Sequence, residues 1–212
     1  GGVAGCEAAI VAARRGHKVT LYEASDRLGG QWITASVPIG KSEFTQFIVW
    51  QKKQLKKYGV EIKLDTELLE ETVKNEKPDV VIAATGSTPY IIPFRGIETG
   101  NVVTAADVLR GNASAGDRAV VVGGGSAGCE TADHIAFHGC SKVYILDIAD
   151  SIAADMQIAP KKHLLSRMKE LGIEVYTGTS ITEIKGRELQ LTSKTNGGFS
   201  ICDIDTIIWP QE

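Results

Sequence analysis

The sequence has few cysteines, and no two of them form a C-x-x-C pair. Their spacing provides neither a set of zinc ligands nor a thioredoxin-type redox pair. We therefore expect all four to be small, largely buried thiols: Cys6, Cys129, Cys140 and Cys202. The pattern of residues predicts no catalytic acid, base or nucleophile and no metal site.

The sequence also has no excess of positive charge and no long apolar run. Lysine and arginine number 23 against 26 acidic residues, a net charge of -3, which disfavours a nucleic-acid partner. Apolar runs such as residues 80–84 are far shorter than the roughly 18 residues of a membrane span. The first residues do not resemble a signal peptide. We therefore expect a soluble, cytoplasmic protein with no nucleic-acid or membrane partner.

The chain contains an internal duplication. Residues 1–7 and 124–130 differ only at Val3 and Ser126, and Gly16 and Gly139 keep the same offset of 123. After one extra residue in the second copy, the acidic Glu23 aligns with Asp147. Residues 79–82 align with residues 205–208, and both segments are predicted strands. Two related modules of about a hundred residues follow from this repeat.

Each copy alternates strands with helices. Residues 119–122 form a predicted strand, residues 129–138 a helix that Gly139 ends, and residues 142–147 a second strand. The predicted fold class is α/β, with two Rossmann-like nucleotide-binding modules that contain parallel sheets in three layers. The predicted modules are residues 1–113 and 114–212, with residues 203–212 beginning the return to the first.

One further helix is predicted between Glu43 and Tyr58. Its predicted inner face comprises Phe44, Phe47, Ile48, Leu55 and Tyr58. The lysines at 52, 53, 56 and 57 are interpreted as a solvated outer face, with a partner-binding patch as the alternative.

The glycine turn of the second copy has the spacing Gly123-x-Gly125-x-x-Gly128, with Ser126 and Ala127 between the last two glycines. It follows a predicted strand and precedes a predicted helix, the context in which this motif binds dinucleotides. The unpaired N–H groups and partial positive charge of a helix N-terminus stabilise a pyrophosphate there. The other interpretation is a glycine-rich loop that binds nothing.

Asp147 follows the first glycine of the turn by 24 residues, at the end of the second strand. A carboxylate in this position accepts hydrogen bonds from ribose hydroxyls and repels a 2′-phosphate, which favours NAD(H) over NADP(H). Lys161 and Lys162 are interpreted as a solvated helix face rather than as phosphate ligands.

The first copy retains only part of the motif. Gly2, Val3, Ala4 and Gly5 match, but the leading glycine and the first strand would precede residue 1. We therefore expect this chain to be an excerpt of a longer one, with a first module that lacks its first strand.

Five stretches of the sequence resemble the same protein family. Residues 1–9, 17–23 and 26–31 resemble the FAD segment of NADH:flavin oxidoreductases related to 2,4-dienoyl-CoA reductase, enoate reductase and trimethylamine dehydrogenase. Residues 79–89 resemble the family's A-T-G strand, and residues 123–130 resemble its nucleotide turn.

The resemblance implies an FAD module followed by a pyridine-nucleotide module, with hydride passing from NAD(P)H to the flavin. It implies that Glu23 holds the FAD ribose and that Arg27, Gly30 and Gln31 line the flavin nucleotide. It also implies close backbone approach at Ala84, Thr85 and Gly86. Family members carry an upstream FMN-binding barrel and an iron–sulfur cluster, so these are expected in parts that this chain does not contain.

Some alternatives stay open. A module that binds an adenine nucleotide without catalysis accounts for the same motifs. An FAD-dependent disulfide reductase is set aside, because it requires a redox cysteine pair. Cys6 and Cys129 are interpreted as small packed residues rather than reactive thiols, and His134 and His138 as a surface coincidence.

Overall fold

The computed structural model describes residues 1–195 and 197–210 and divides the chain into two compact units, residues 1–88 and 89–212. Residues 89–113, which the sequence analysis placed in the first module, thus pack with the second unit. Among the described residues, no helix is long and apolar enough to cross a bilayer.

The first unit has a short parallel sheet and four helices. Its strands are β1 (Thr20–Tyr22) and β2 (Glu61–Lys63), and its helices are α1 (Val3–Arg14), α2 (Gln31–Ala35), α3 (Phe44–Lys57) and α4 (Glu70–Glu76). The core joins α1, β1 and α3 through Cys6, Ile10, Leu21 and Leu55. Helix α1 packs against the sheet because the residues on its inner face are small or apolar.

Residues 79–82 do not form the predicted strand, and they lie outside every sheet of the described residues. Val80 is 75% exposed and Ile82 is 62% exposed. In the second unit the aligned segment forms a strand, residues 206–209, that pairs with residues 102–104 on one side and with residues 118–122 on the other. No strand of residues 1–88 pairs with residues 79–82, so the predicted strand has no hydrogen-bonded neighbour.

Helix α3 confirms the predicted element, but its buried face differs from the prediction. Ile48 and Leu55 are buried, together with Gln51, whereas Phe44 and Phe47 are exposed and contact the ring of Trp32. The four lysines are exposed, as expected.

The second unit contains a five-stranded parallel sheet and a three-stranded antiparallel sheet. The parallel strands are β3 (Val102–Thr104), β4 (Arg118–Val122), β5 (Lys142–Leu146), β6 (Glu174–Tyr176) and β10 (Thr206–Trp209), in the order β3-β10-β4-β5-β6. The antiparallel strands are β7 (Thr179–Lys185), β8 (Glu188–Ser193) and β9 (Gly197–Ile201). The helices are α5 (Ala105–Leu109), α6 (Ser126–Phe137) and α7 (Ile158–Glu170).

The second unit has three layers, with the parallel sheet in the middle. Strands β4 and β5 are covered on both faces, which is why their sequences are continuous apolar runs. Val121 and Ile145 pack against the helices, whereas Val120 and Tyr144 pack against the antiparallel sheet. The outer layer on that side is thus a sheet and not a set of helices. Strand β10, predicted to begin the return to the first module, lies between β3 and β4.

Candidate nucleotide-binding site

The glycine turn of the second unit joins β4 to α6. Gly123 has a φ of +128°, which a residue with a side chain rarely adopts. A Cβ atom on Gly128 would lie 1.9 Å from the carbonyl oxygen of Gly123, so only glycine lets the helix approach the strand this closely. The strand–turn–helix junction that the spacing predicts is therefore present.

Asp147 follows β5 directly and points into this turn. Its Oδ2 accepts a hydrogen bond from the Gly124 N–H at 2.5 Å, and its Oδ1 accepts one from the Ala149 N–H at 2.7 Å. The carboxylate is half-buried. It lies beside the glycine turn, where the sequence places a ribose acceptor.

The first unit repeats this arrangement. The Oε2 atom of Glu23 lies 3.0 Å from the nitrogen of Gly1, and its Oε1 accepts hydrogen bonds from the backbone N–H and the hydroxyl of Ser25 at 2.8 and 2.7 Å. Burial works to raise the pKa of Glu23, but the bonds from Ser25 and the Gly1 amine outweigh it and lower that pKa. Both units thus hold an acidic side chain against a glycine turn.

Cys6 and Cys129 occupy equivalent places inside the two turns. Their thiols donate to the carbonyl oxygens of Gly1 and Gly124 at 3.1 and 3.3 Å, and both are buried. Burial raises the pKa of Cys6, and it raises the pKa of Cys129 to about 12. The prediction of packed thiols is confirmed for this pair. It is wrong for Cys202, which is exposed.

The first residues of α1 and α6 present their backbone N–H groups at the turns. Gly2 caps α1, which begins with Val3 and Ala4. In the second unit Gly125 caps α6, which begins with Ser126 and Ala127. Both N-cap residues are glycines and therefore contribute no capping side chain.

Few atoms lie close to the capping glycines of the two turns. A Cβ on Gly125 would meet only the oxygens of Asp155, at 3.9 Å, and a Cβ on Gly2 would lie 3.9 Å from Gly30. Backbone N–H donors at a helix N-terminus suit the phosphates of FAD and NAD.

Several residues expected to contact FAD lie together in the first unit. A Cβ on Gly30 would lie 2.9 Å from the Cα of Gly2, and a Cβ on Gly5 would lie 3.4 Å from Ala84. The side chain of Gln31 donates to the carbonyl oxygen and hydroxyl of Ser87 at 2.9 and 3.0 Å.

The remaining predicted residues are more exposed. Thr85 and Gly86 follow Ala84 in the exposed segment, and Gly86 has a φ of +73°. Arg27 forms an exposed ion pair with its neighbour Asp26. Their roles toward FAD stay predictions.

Sequence reasoning missed Asp155, which lies at the same turn as Asp147. Both of its carboxylate oxygens accept the N–H of Ser126, at 3.0 and 3.1 Å. Hydrogen bonding by Ser126 lowers the pKa of Asp155. Extending the internal repeat beyond Asp147 would have pointed to this residue, because it aligns with Gln31 at the same offset of 124.

The histidine pair forms no metal centre with neighbouring residues. The rings of His134 and His138 lie 4.2 Å apart, and Nδ1 of His138 contacts the carbonyl oxygen of His134 at 2.7 Å. No group of three potential metal ligands occurs in residues 1–195 and 197–210. Burial lowers the pKa of His134, and its neighbour His138 lowers it further.

Comparison with known proteins agrees with this geometry. Residues 1–210 match the family described as pyridine nucleotide-disulphide oxidoreductase. NADH oxidase of Thermoanaerobacter brockii is 40% identical over 198 residues, covering 92% of this chain and 30% of the relative. Cinnamate reductase of Clostridium sporogenes is 36% identical over 211 residues, covering 98% of this chain and 31% of the relative.

The structure of a 2-naphthoyl-CoA reductase superposes with a TM-score of 0.92 at 29% identity, covering all of this chain and 32% of that protein. The chain thus spans about a third of the length of these relatives. It belongs to the pyridine nucleotide-disulphide oxidoreductase family and corresponds to the FAD- and NAD(P)-binding part of larger flavin-dependent oxidoreductases.

Proposed function

We propose that the first unit binds FAD and the second binds NAD(H), in preference to NADP(H), within a flavoprotein that passes hydride from the nicotinamide to the flavin. When bound, the two cofactors supply the hydride chemistry. The residues of this chain position them. The observation that carries the proposal is the acid that each unit holds against its glycine turn, Glu23 and Asp147.

In the second unit, Gly123, Gly125 and Gly128 place no side chain in the turn, and the N–H groups of Ser126 and Ala127 would donate to the diphosphate. Asp147 would accept the ribose hydroxyls, since a carboxylate has lone pairs beyond those used by Gly124 and Ala149. A 2′-phosphate beside it would be repelled.

In the first unit, Gly2, Val3, Ala4 and Gly5 would serve the FAD diphosphate, and Glu23 its ribose. Gly30 and Gln31 lie beside that turn. Together with Arg27, Ala84, Thr85 and Gly86 they would line the rest of the nucleotide. The larger flavoprotein would carry an FMN barrel and an iron–sulfur cluster upstream, as in the family that the sequence resembles, and would work in the cytoplasm.

A non-catalytic adenine-nucleotide module is the second candidate, because the glycine turn and Asp147 of the second unit would hold the diphosphate and ribose of an adenine nucleotide whether or not hydride is transferred. An absorption spectrum of the purified chain and NADH oxidation with an artificial acceptor separate the two functions. A yellow chain that oxidises NADH supports the oxidoreductase. A colourless, inactive chain that binds ADP supports the module.

The cofactor preference is tested by titrating NADH and NADPH into the chain and into Asp147→Asn. This variant loses the charge, and its one remaining side-chain oxygen accepts from only one of Gly124 and Ala149. We expect discrimination against NADPH to fall by about 10-fold or more. Asp150→Asn, a nearby exposed acid paired with Lys194, is the matched control. Tighter binding of NADPH than NADH by the unmodified chain would overturn the preference.

A further inference from the structure

The N-terminus of α6 already carries an anion from its own chain. Ser126 is the first residue of this helix, and its N–H donates to both carboxylate oxygens of Asp155. This N–H is one of those that a dinucleotide diphosphate takes at such a turn. The acid and the diphosphate therefore require the same donor.

The loop between β5 and α7 holds Asp155 in this position. The Ala153 N–H donates to the carbonyl oxygen of Gly124 at 2.6 Å, and a Cβ on Gly124 would lie 2.5 Å from the side chain of Ile152. Asp155 itself is exposed. Its carboxylate is therefore able to rotate into solvent while Ala153 keeps the loop in place.

The first unit has the same loop contact but a different side chain. The Gly29 N–H donates to the carbonyl oxygen of Gly1 at 3.0 Å, which matches the bond between Ala153 and Gly124. Two residues further along, the counterpart of Asp155 is Gln31, and its amide donates to Ser87. Within the described residues, no carboxylate accepts the N–H of Val3.

We propose that Asp155 competes with the dinucleotide diphosphate for the N-terminus of α6, so that binding displaces its carboxylate and the second unit binds its nucleotide less tightly than the turn alone would allow. The proposal rests on the proposed nucleotide function of this site. Two anions cannot share one donor and the partial positive charge of one helix end without repulsion. Asp155 is thus a residue that tunes affinity and not a catalytic one.

Isothermal titration of ADP-ribose and NADH into the full chain and into Asp155→Ala tests the competition. We expect Asp155→Ala to bind both ligands about 2- to 30-fold more tightly, the range that corresponds to removing a capping side chain. Asp155→Asn, which keeps a capping oxygen but loses the charge, should lie between the two. Asp150→Asn removes a charge from the same loop without touching Ser126 and should bind as the unmodified chain does.

A second readout follows the donor itself. The amide resonance of Ser126 should shift in the ligand-free Asp155→Ala chain, and ADP-ribose should shift it in the unmodified chain. Equal or weaker binding by Asp155→Ala, with binding by the unmodified chain intact, would overturn the competition and leave the proposed function standing. Failure of both chains to bind either ligand would overturn the nucleotide function, and the competition with it.

Discussion

Asp133 and Arg167 form an ion pair between α6 and α7 in which the two partners differ in exposure. The side chain of Asp133 is 1% exposed, and that of Arg167 is 33% exposed. Arg167 donates two hydrogen bonds, at 2.7 and 2.6 Å, in the paired geometry that best compensates a buried carboxylate. The hydrogen bond to Asp133 raises the pKa of Arg167.

We predict that Arg167→Ala lowers the free energy of unfolding by about 3–5 kcal/mol, because it leaves a buried carboxylate without its partner. Asp133→Ala should cost less, since the guanidinium of Arg167 regains water. Urea denaturation followed by circular dichroism measures both. Arg95→Ala, which removes the exposed partner of Glu183, is the control and should change stability by about 0–1 kcal/mol. A cost as small for Arg167→Ala as for Arg95→Ala would contradict the prediction.

Gly128 brings helix α6 against the end of β4. A Cβ atom on Gly128 would lie 1.9 Å from the carbonyl oxygen of Gly123, and backbone cannot move aside as a flexible side chain can. Gly125, at the N-cap of the same helix, is different: a Cβ atom there would have only the oxygens of Asp155 within 4 Å, at 3.9 Å. The two glycines of one turn are therefore under different steric constraint.

We predict that Gly128→Ala destabilises the second unit by about 3 kcal/mol, since helix and strand must separate to admit the Cβ. Gly125→Ala is the matched variant and should cost about 1 kcal/mol or less, because its Cβ would meet no atom closer than 3.9 Å. Urea midpoints of the two variants provide the measurement. Equal losses at both positions would show that the close approach to Gly123 does not constrain α6.

At the scale of the whole molecule, both units hold carboxylates whose pKa lies below the ordinary value. These are Glu23, Asp26, Glu76, Asp155, Glu174 and Asp205. For Asp205 the leading cause is a hydrogen bond from the backbone N–H of Arg118. In the folded state these acids bind fewer protons than in the unfolded state, so folding is favoured where they are ionised.

We therefore predict that the urea midpoint is highest above the ordinary pKa values of 4.5 and 3.8 and falls as the pH drops through them. Comparing midpoints near neutral pH and at about pH 3.5 provides the measurement. Asp205→Asn should lower the midpoint at neutral pH and reduce its fall in acid. A midpoint that rises on acidification would contradict the sign of these shifts.

Local patterns predicted where two parts of the candidate site lie. The glycine spacing located the turn between β4 and α6, and the distance to the next strand end located Asp147. Both positions are set by residues close together in the sequence. The turn depends on the steric limits at glycine, and Asp147 depends on the geometry of one βαβ unit. The burial of Phe44 was predicted incorrectly, because helical periodicity does not say whether another element covers that face.

The sequence by itself determined that the chain is a duplicated α/β protein, since the repeat and the backbone limits of glycine are local. Only the tertiary structure decided that residues 89–113 pack with the second unit, because β3 requires β10 as the neighbour that completes its hydrogen bonds. It also placed Asp155 on Ser126, a contact between residues 29 positions apart. That contact depends on where a loop folds back, which no short-range pattern encodes.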